Sequence, residues 1–226
     1  MLQRIIQKLR LLYLRSSVGS FDKFLGLNPF YSGVDQRVIS ENREKLRPVY
    51  EQYVREVSSP DMAASLELTV FLYTLCAANR YTRLLDLGSG LSSFAFRLYA
   101  RETPGVTVFS VDDDEKWLMK TRDFLSTHKV GTENMMTLEQ FLVRNESGFD
   151  CILHDLNFVE VRIKYVERIL PMINQSGLII FDDVHKPDYL IDLLAKLTHD
   201  GGQTCSLQPT TRDRFGRFSL AYFRSL

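Results

Sequence analysis

From residue 83 onward the chain repeats one grammar, a short apolar β-rich run followed by a stretch with helical spacing of its apolar residues. The runs lie at 83–87, 107–111, 135–138, 151–154 and 178–181, and helical patterns follow at 92–100, 115–128, 158–170 and 188–199. The link after the third run is short and carries no clear pattern. Parallel strands need a crossover between them, usually a helix, and strands this apolar are covered on both faces. The grammar therefore restricts the chain to the α/β class, with a mostly parallel sheet between two layers of helices. Two late β-type runs, 204–207 and 218–223, lack a helix between them and are expected to pair antiparallel.

Ahead of the repeats, residues 40–57 read as a helix that Pro48 should kink or divide. Ser59-Pro60-Asp61 has the chemistry of a helix start, with Ser as N-cap, Pro at the first position and Asp at the positive end of the dipole. That helix should run to about Asn79. The expected organisation is an N-terminal helical extension over 1–58 and one domain over 59–226. Within the first 17 residues Arg4, Lys8, Arg10 and Arg15 are basic, and no acid occurs before Asp22. The apolar residues between them are too interrupted to span a bilayer. A helix packed on the domain or on a second copy in a homodimer, a helix lying on an anionic membrane surface, and an organelle transit peptide all fit.

Lys and Arg number 28 and so do Asp and Glu, and this balance argues against a dedicated nucleic-acid binder. Cys76, Cys151 and Cys205 form neither a CxxC pair nor a zinc spacing. Buried free thiols in a reducing, cytoplasmic location are the plain reading.

The sharpest local signal is Leu84-Leu85-Asp86-Leu87-Gly88-Ser89-Gly90, an apolar strand ending in a Gly-x-Gly turn that opens a helix. Glycine lets backbone approach a ligand closely, and the free N–H groups of the helix start face the same place. The third glycine of a nicotinamide fingerprint is missing, because Ser93 stands there. Asp86 inside the turn suits a cationic group better than a pyrophosphate. The second strand ends in Val111-Asp112-Asp113-Asp114, where a carboxylate can accept both hydroxyls of a ribose. Asp113 is either a further contact there or a helix cap. Trp117, one turn into the next helix, lies against a nucleoside or simply packs.

DLGSG, VDDD, FDCILHD and GLIIFDD occur in that order at successive strand ends. The series resembles the class I S-adenosylmethionine (SAM)-dependent methyltransferases over most of the chain, from about residue 59 to the end. The resemblance implies a Rossmann-like, doubly wound seven-stranded sheet with its last strand antiparallel. It implies that Asp86, Gly88, Ser89 and Gly90 hold the amino-acid part of SAM and that Asp112 holds the ribose. SVDDDEKWL also resembles small-molecule and sugar methyltransferases, which carry an acid followed by Trp.

Active sites in such sheets lie at the carboxyl ends of the strands. Asp155, Asp182 and Asp183 can converge there, but Asp182 and Asp183 would point to opposite faces unless the strand ends and the chain turns. Three carboxylates in one pocket repel and call for a proton or a cation. Oxygen ligands alone favour Mg²⁺ or Ca²⁺. The pattern resembles the catechol-type O-methyltransferases, which implies a divalent cation on Asp155, Asp182 and Asp183. Asp183 departs from that pattern, which has Asn at its position. His154 and His185 are, with Asp155, the candidate general bases.

HDLN after the fourth strand is not the Asn/Asp-Pro-Pro-aromatic turn of enzymes acting on base amino groups. The expected activity is therefore SAM-dependent O-methylation of a small molecule or sugar, without a nucleic-acid partner. A nicotinamide-dependent oxidoreductase and a non-catalytic module of the same fold are the alternatives. A cytoplasmic protein, peripheral at a membrane if the first segment binds one, is the expected location.

Overall fold

The computed structural model describes residues 16–224. The readings placed on residues 1–15, a helix, a membrane contact and a dimer contact, lie outside the described residues. Among the described residues the first helices are α1 (Phe21–Leu27), α2 (Pro29–Ser32) and α3 (Gln36–Glu56), followed by α4 (Leu66–Asn79). Then follow β1 (Arg83–Leu87), α5 (Leu91–Glu102), β2 (Thr107–Asp112), α6 (Glu115–Thr127), β3 (Met135–Thr137), α7 (Leu138–Leu142), β4 (Phe149–His154) and α8 (Val159–Ile169). The chain ends in β5 (Ile173–Phe181), α9 (Pro187–Asp200), β6 (Gln203–Ser206), α10 (Gln208–Thr211) and β7 (Leu220–Phe223).

Among the described residues the strands form one sheet in the order β3-β2-β1-β4-β5-β7-β6. β7 runs antiparallel to both of its neighbours, as the two late runs implied, although a four-residue helix, α10, stands between them where none was expected. The order reverses between β1 and β4, so the crevice of an open α/β sheet lies above their carboxyl ends.

Side chains alternate between the faces, as a strand period of two requires. Leu84, Val108, Leu153 and Ile180 join one core with α4 and α5, whereas Leu85, Phe109, Ile152 and Ile179 join the other with α8 and α9. The first core also takes in Phe24, Tyr31, Leu46 and Tyr53 from the helices ahead of residue 59. Phe24 and Tyr31 pack on Phe71 of α4 at 5.8 and 5.2 Å. Gly19 pairs with the outer edge of β6 through Gly19 N to Thr204 O at 2.8 Å and Ser206 N to Gly19 O at 2.9 Å. An edge strand is thereby covered.

Three local expectations change. α4 starts at Leu66 with Ser65 as its N-cap, bonded to Leu68 N at 3.0 Å. Residues 59–62 form a separate turn, closed by Ala63 N to Ser59 O at 2.9 Å. Its Pro60 and Asp61 carbonyls accept from the Arg217 guanidinium at 2.9 and 2.6 Å, a partner far along the chain. α3 runs through Pro48 without dividing. Pro48 and Glu44, whose carbonyl it leaves without an N–H, are both exposed, so that carbonyl is open to solvent rather than buried unpaired. The unclear link after β3 is α7, whose N-terminus is a reciprocal Thr137–Gln140 cap. No helix among the described residues is long and apolar enough to cross a membrane.

Candidate functional site

β1 ends at Leu87, and the chain turns through Gly88, Ser89 and Gly90 into α5. Gly88 has φ +107°, and a Cβ there would lie 2.0 Å from the Asp155 carbonyl oxygen. Only glycine lets this turn close onto the end of β4. Asp86 lies fully buried and accepts hydrogen bonds from Ser93 Oγ and, at 3.2 Å, from Ser92 Oγ. Ser93, the residue in place of a third glycine, thus ties the first turn of α5 to β1. Burial pushes the Asp86 carboxyl up to about 7, against these hydroxyls. Its Oδ1 has no hydrogen-bond partner among the described residues.

Asp112 ends β2 and faces the turn. Its Oδ2 accepts from Ser89 N and Ser89 Oγ, both at 2.7 Å, and its Oδ1 from Asp114 N at 2.9 Å. Burial raises its carboxyl, and these donors oppose the rise. The Trp117 indole donates to Ser89 O at 2.7 Å, so β2 and α6 brace the turn from its open side. Asp114 caps α6 by accepting from Lys116 N and Trp117 N.

A cavity of about 520 Å³ opens over these groups, a size suited to a small ligand. Gly88, Ser89, Gly90, Asp112 and Trp117 line one end, with Tyr53 of α3 behind Gly90. Asp155, Arg162, Asp182, Asp183 and His185 line it further along, with Met62, Phe215 and Arg217 also in its wall. Three residues singled out in the sequence lie off this cavity: Asp86, under the turn, Asp113, whose Oδ1 accepts from Asn157 N at 3.3 Å, and His154.

His154 does not reach the cavity. It is fully buried on the other side of the strand, with Nε2 2.9 Å from Arg162 O and its ring against Phe181. Burial pushes it down to about 4, so it stays neutral where a base would work. His185 does line the cavity, with Nδ1 3.6 Å from Asp183 Oδ1, which is proximity without a hydrogen bond.

The condition set for Asp182 and Asp183 to share a site is met. β5 stops at Phe181, and Asp183 takes φ +61°, a left-handed turn that Asp tolerates. Asp182 Oδ1 accepts from Ser219 Oγ at 2.7 Å. Asp183 Oδ2 lies 2.6 Å from Lys186 Nζ and 3.5 Å from Arg162 Nη1. Arg162 Nη2 pairs with Asp155 Oδ1 at 2.6 Å. Burial pushes the Asp155 carboxyl well above its ordinary value, with Arg162 opposing it. Burial raises Asp182 too. Burial works the same way on Asp183, but Lys186 and Arg162 outweigh it and hold that carboxyl low.

The three carboxylates do not fit a divalent cation. A guanidinium already sits among them, and one oxygen of each is held: Asp155 Oδ1 by Arg162, Asp182 Oδ1 by Ser219 and Asp183 Oδ2 by Lys186. Among the described residues no group of three or more His, Cys, Asp or Glu is arranged to hold a metal ion. Where the resemblance implied a divalent cation on Asp155, Asp182 and Asp183, the described residues place the Arg162 guanidinium beside Asp155 and Asp183.

Arg162 and Tyr53 are the residues that sequence reasoning missed. Arg162 had a signal. With Val166 and Ile169 it occupies positions i, i+4 and i+7 on the buried stripe of α8, where an arginine must find partners. Tyr53 had none, because a tyrosine on an inward helix face reads as core.

No protein-family model matches the chain, and no curated protein is similar to it in sequence. Solved structures are similar in fold. The O-methyltransferase TomG from Streptomyces achromogenes, involved in tomaymycin synthesis and solved with SAM, is 18% identical over 88% of this chain and 96% of its own, with a TM-score of 0.59. An O-methyltransferase from Bacillus cereus, solved with S-adenosylhomocysteine (SAH), is 16% identical over 92% and 98%, with a TM-score of 0.59. A methyltransferase from Geobacter sulfurreducens is 17% identical over 85% and 98%, with a TM-score of 0.58. The chain thus has the class I methyltransferase fold that its ordered strand-end motifs resemble.

Proposed function

We propose that the chain is a SAM-dependent methyltransferase acting on a hydroxyl of a small molecule or sugar. The observation that carries this is one continuous cavity, with the glycine turn and Asp112 at one end and Asp155 and His185 at the other. The site fits the cofactor: the Gly88-Ser89-Gly90 turn lines the cavity, and Asp112, also in its wall, keeps a lone pair on Oδ1 for a ribose hydroxyl. Ser89 and Gly90 face the amino-acid part and Trp117 the nucleoside. SAM supplies a methyl group already activated on a sulfonium, so the protein's task is orientation and proton removal. Asp155 has one oxygen held by Arg162. Its other oxygen takes the proton from the acceptor hydroxyl, and burial raises its affinity for that proton. His185 is the second group at that end able to do so.

Ser93 supports this reading over a nicotinamide enzyme, since it is committed to Asp86 where that fingerprint requires glycine. The chain's balanced charge supports a small-molecule acceptor over a nucleic acid. Three buried free cysteines suit a reducing, cytoplasmic compartment. The acid-free first segment is read as a contact segment, for a second copy of the chain or an anionic membrane surface. Calorimetric titration with SAH and with NAD tests the main reading. SAH should bind and NAD should not; the reverse overturns it. With SAH binding in hand, Asp155→Asn should abolish turnover on an identified acceptor and spare SAH affinity. Loss through His185→Ala alone would move the proton to the histidine.

A further inference from the structure

We infer that Arg162 takes the place of a divalent metal ion at the acceptor end of the cavity, as a positioning residue built into α8. The inference rests on the methyltransferase reading for its purpose but on the carboxylate cluster for its evidence. A metal in such a site would join the ends of two strands and fix one carboxylate oxygen. The guanidinium does both. Its Nε donates to Leu156 O just after β4, and its Nη2 holds Asp155 Oδ1 at 2.6 Å. Its Nη1 reaches past β5, to Asp182 O at 3.4 Å and Asp183 Oδ2 at 3.5 Å. The planar fork suits several oxygens in fixed directions, which a lysine ammonium would not. Arg162 is itself 5% exposed and packs over the Tyr189 ring, so its position is set from behind as well.

The arrangement also excludes the ion it replaces. Mg²⁺ demands oxygens at about 2.0–2.1 Å in an octahedral shell. A second cation on Asp155 Oδ1 would sit beside a guanidinium that already holds that oxygen. Lys186 adds another positive charge on Asp183. Asp183 itself, where the catechol-type pattern has Asn, gains a purpose as a counter-charge to two cations.

The test uses Mn²⁺ as probe, titrated into the full chain and followed by electron paramagnetic resonance, with SAH calorimetry on the same samples. Wild type should leave Mn²⁺ free, and EDTA should not change its SAH affinity. Arg162→Met empties the centre of the cluster. It should raise Mn²⁺ affinity at least about tenfold, the effect of one added favourable ligand interaction. Mn²⁺ should also raise the Tm of this variant and not that of wild type. A variant that folds only with Mn²⁺ present gives the same answer, and Arg162→Gln repeats the test with a smaller change in polarity. Mn²⁺ bound by wild type and lost in Asp182→Asn and Asp183→Asn overturns the inference, as does a folded Arg162→Met that gains no Mn²⁺. If neither variant folds in either condition, the wild-type titration decides: free Mn²⁺ supports the inference and bound Mn²⁺ overturns it. Absence of SAH binding in wild type would instead remove the methyltransferase reading and leave the Mn²⁺ comparison standing.

Discussion

Gly88→Ala should separate two costs that glycine turns usually mix. The added Cβ would lie 2.0 Å from the Asp155 carbonyl oxygen, 2.4 Å from its carbon and 2.9 Å from Leu156 N. All three are backbone atoms, and Asp155 N is itself bonded to Leu87 O at 2.6 Å. Relief requires more than an ångström of movement at the end of the β1–β4 ladder, which pairs Leu87 with His154. Overpacking of this kind costs about 1–3 kcal/mol. A side chain at φ +107° adds about 1 kcal/mol of left-handed strain. The expected loss is therefore about 2–4 kcal/mol, within the ~5–15 kcal/mol a domain has to lose. Gly105→Ala is the control. Its φ is +86° and nothing lies within 4 Å of its Cβ, so it carries only the strain, about 1 kcal/mol. Urea midpoints at constant m give both values, and SAH calorimetry on both variants gives the site effect. Gly88→Ala should lose SAH binding while Gly105→Ala keeps it. Stability losses that agree within about 0.5 kcal/mol, with SAH affinity intact in both, would refute the argument that this turn closes on β4.

Asp112→Ala should weaken SAH binding by about 1.5–3 kcal/mol, the worth of hydrogen bonds to a charged group. It should also lower the urea midpoint, because Asp112 holds Ser89 and Asp114; unchanged affinity would place the ribose acid elsewhere. Tyr53→Phe removes a buried hydroxyl that has no hydrogen-bond partner among the described residues. Calorimetry should find the unliganded protein as stable as wild type or slightly more so, and a fall in Tm would show a bond to the nearby Thr121. Asp86 binds its proton more tightly folded, at about 7, than unfolded, at 3.8. Between those values the folded state holds more protons, so raising pH lowers stability. Urea midpoints from pH 5 to 8 should fall in wild type and fall less in Asp86→Asn, and equal slopes would count against the buried carboxyl as the cause.

The sheet was legible because its signals are local and repeated. Five apolar runs with helices between them leave one way to bury both faces, and the late pair without a crossover helix had to turn back on itself. What escaped was decided by partners far along the chain. Ser59-Pro60-Asp61 carries the residues of a helix start, yet its carbonyls go to Arg217, and the helix begins at Ser65 instead. The first residues of β5, Ile173-Asn174-Gln175-Ser176, are too polar to read as strand. Ile173 pairs with Phe149, ahead of a register irregularity that joins the polar stretch to the apolar one.

The site divides along the same line. Gly88, Ser89, Gly90 and Asp112 follow from where β1 and β2 end, because a strand end and a glycine turn are written in adjacent residues. The carboxylates at 155, 182 and 183 were legible as a demand: three negative charges brought together must be met by a proton or a cation. The source of the positive charge was not adjacent to any of them. α8 carries Arg162 on its inner stripe, and it reaches the cluster only because β4 and β5 lie side by side under that helix. A charge on an apolar stripe is the sequence form of such a supply, just as acids at successive strand ends are the sequence form of the demand. In this chain the stripe of α8 and the ends of β4 and β5 are two halves of one electrostatic requirement, and reading the carboxylates alone points to a metal ion.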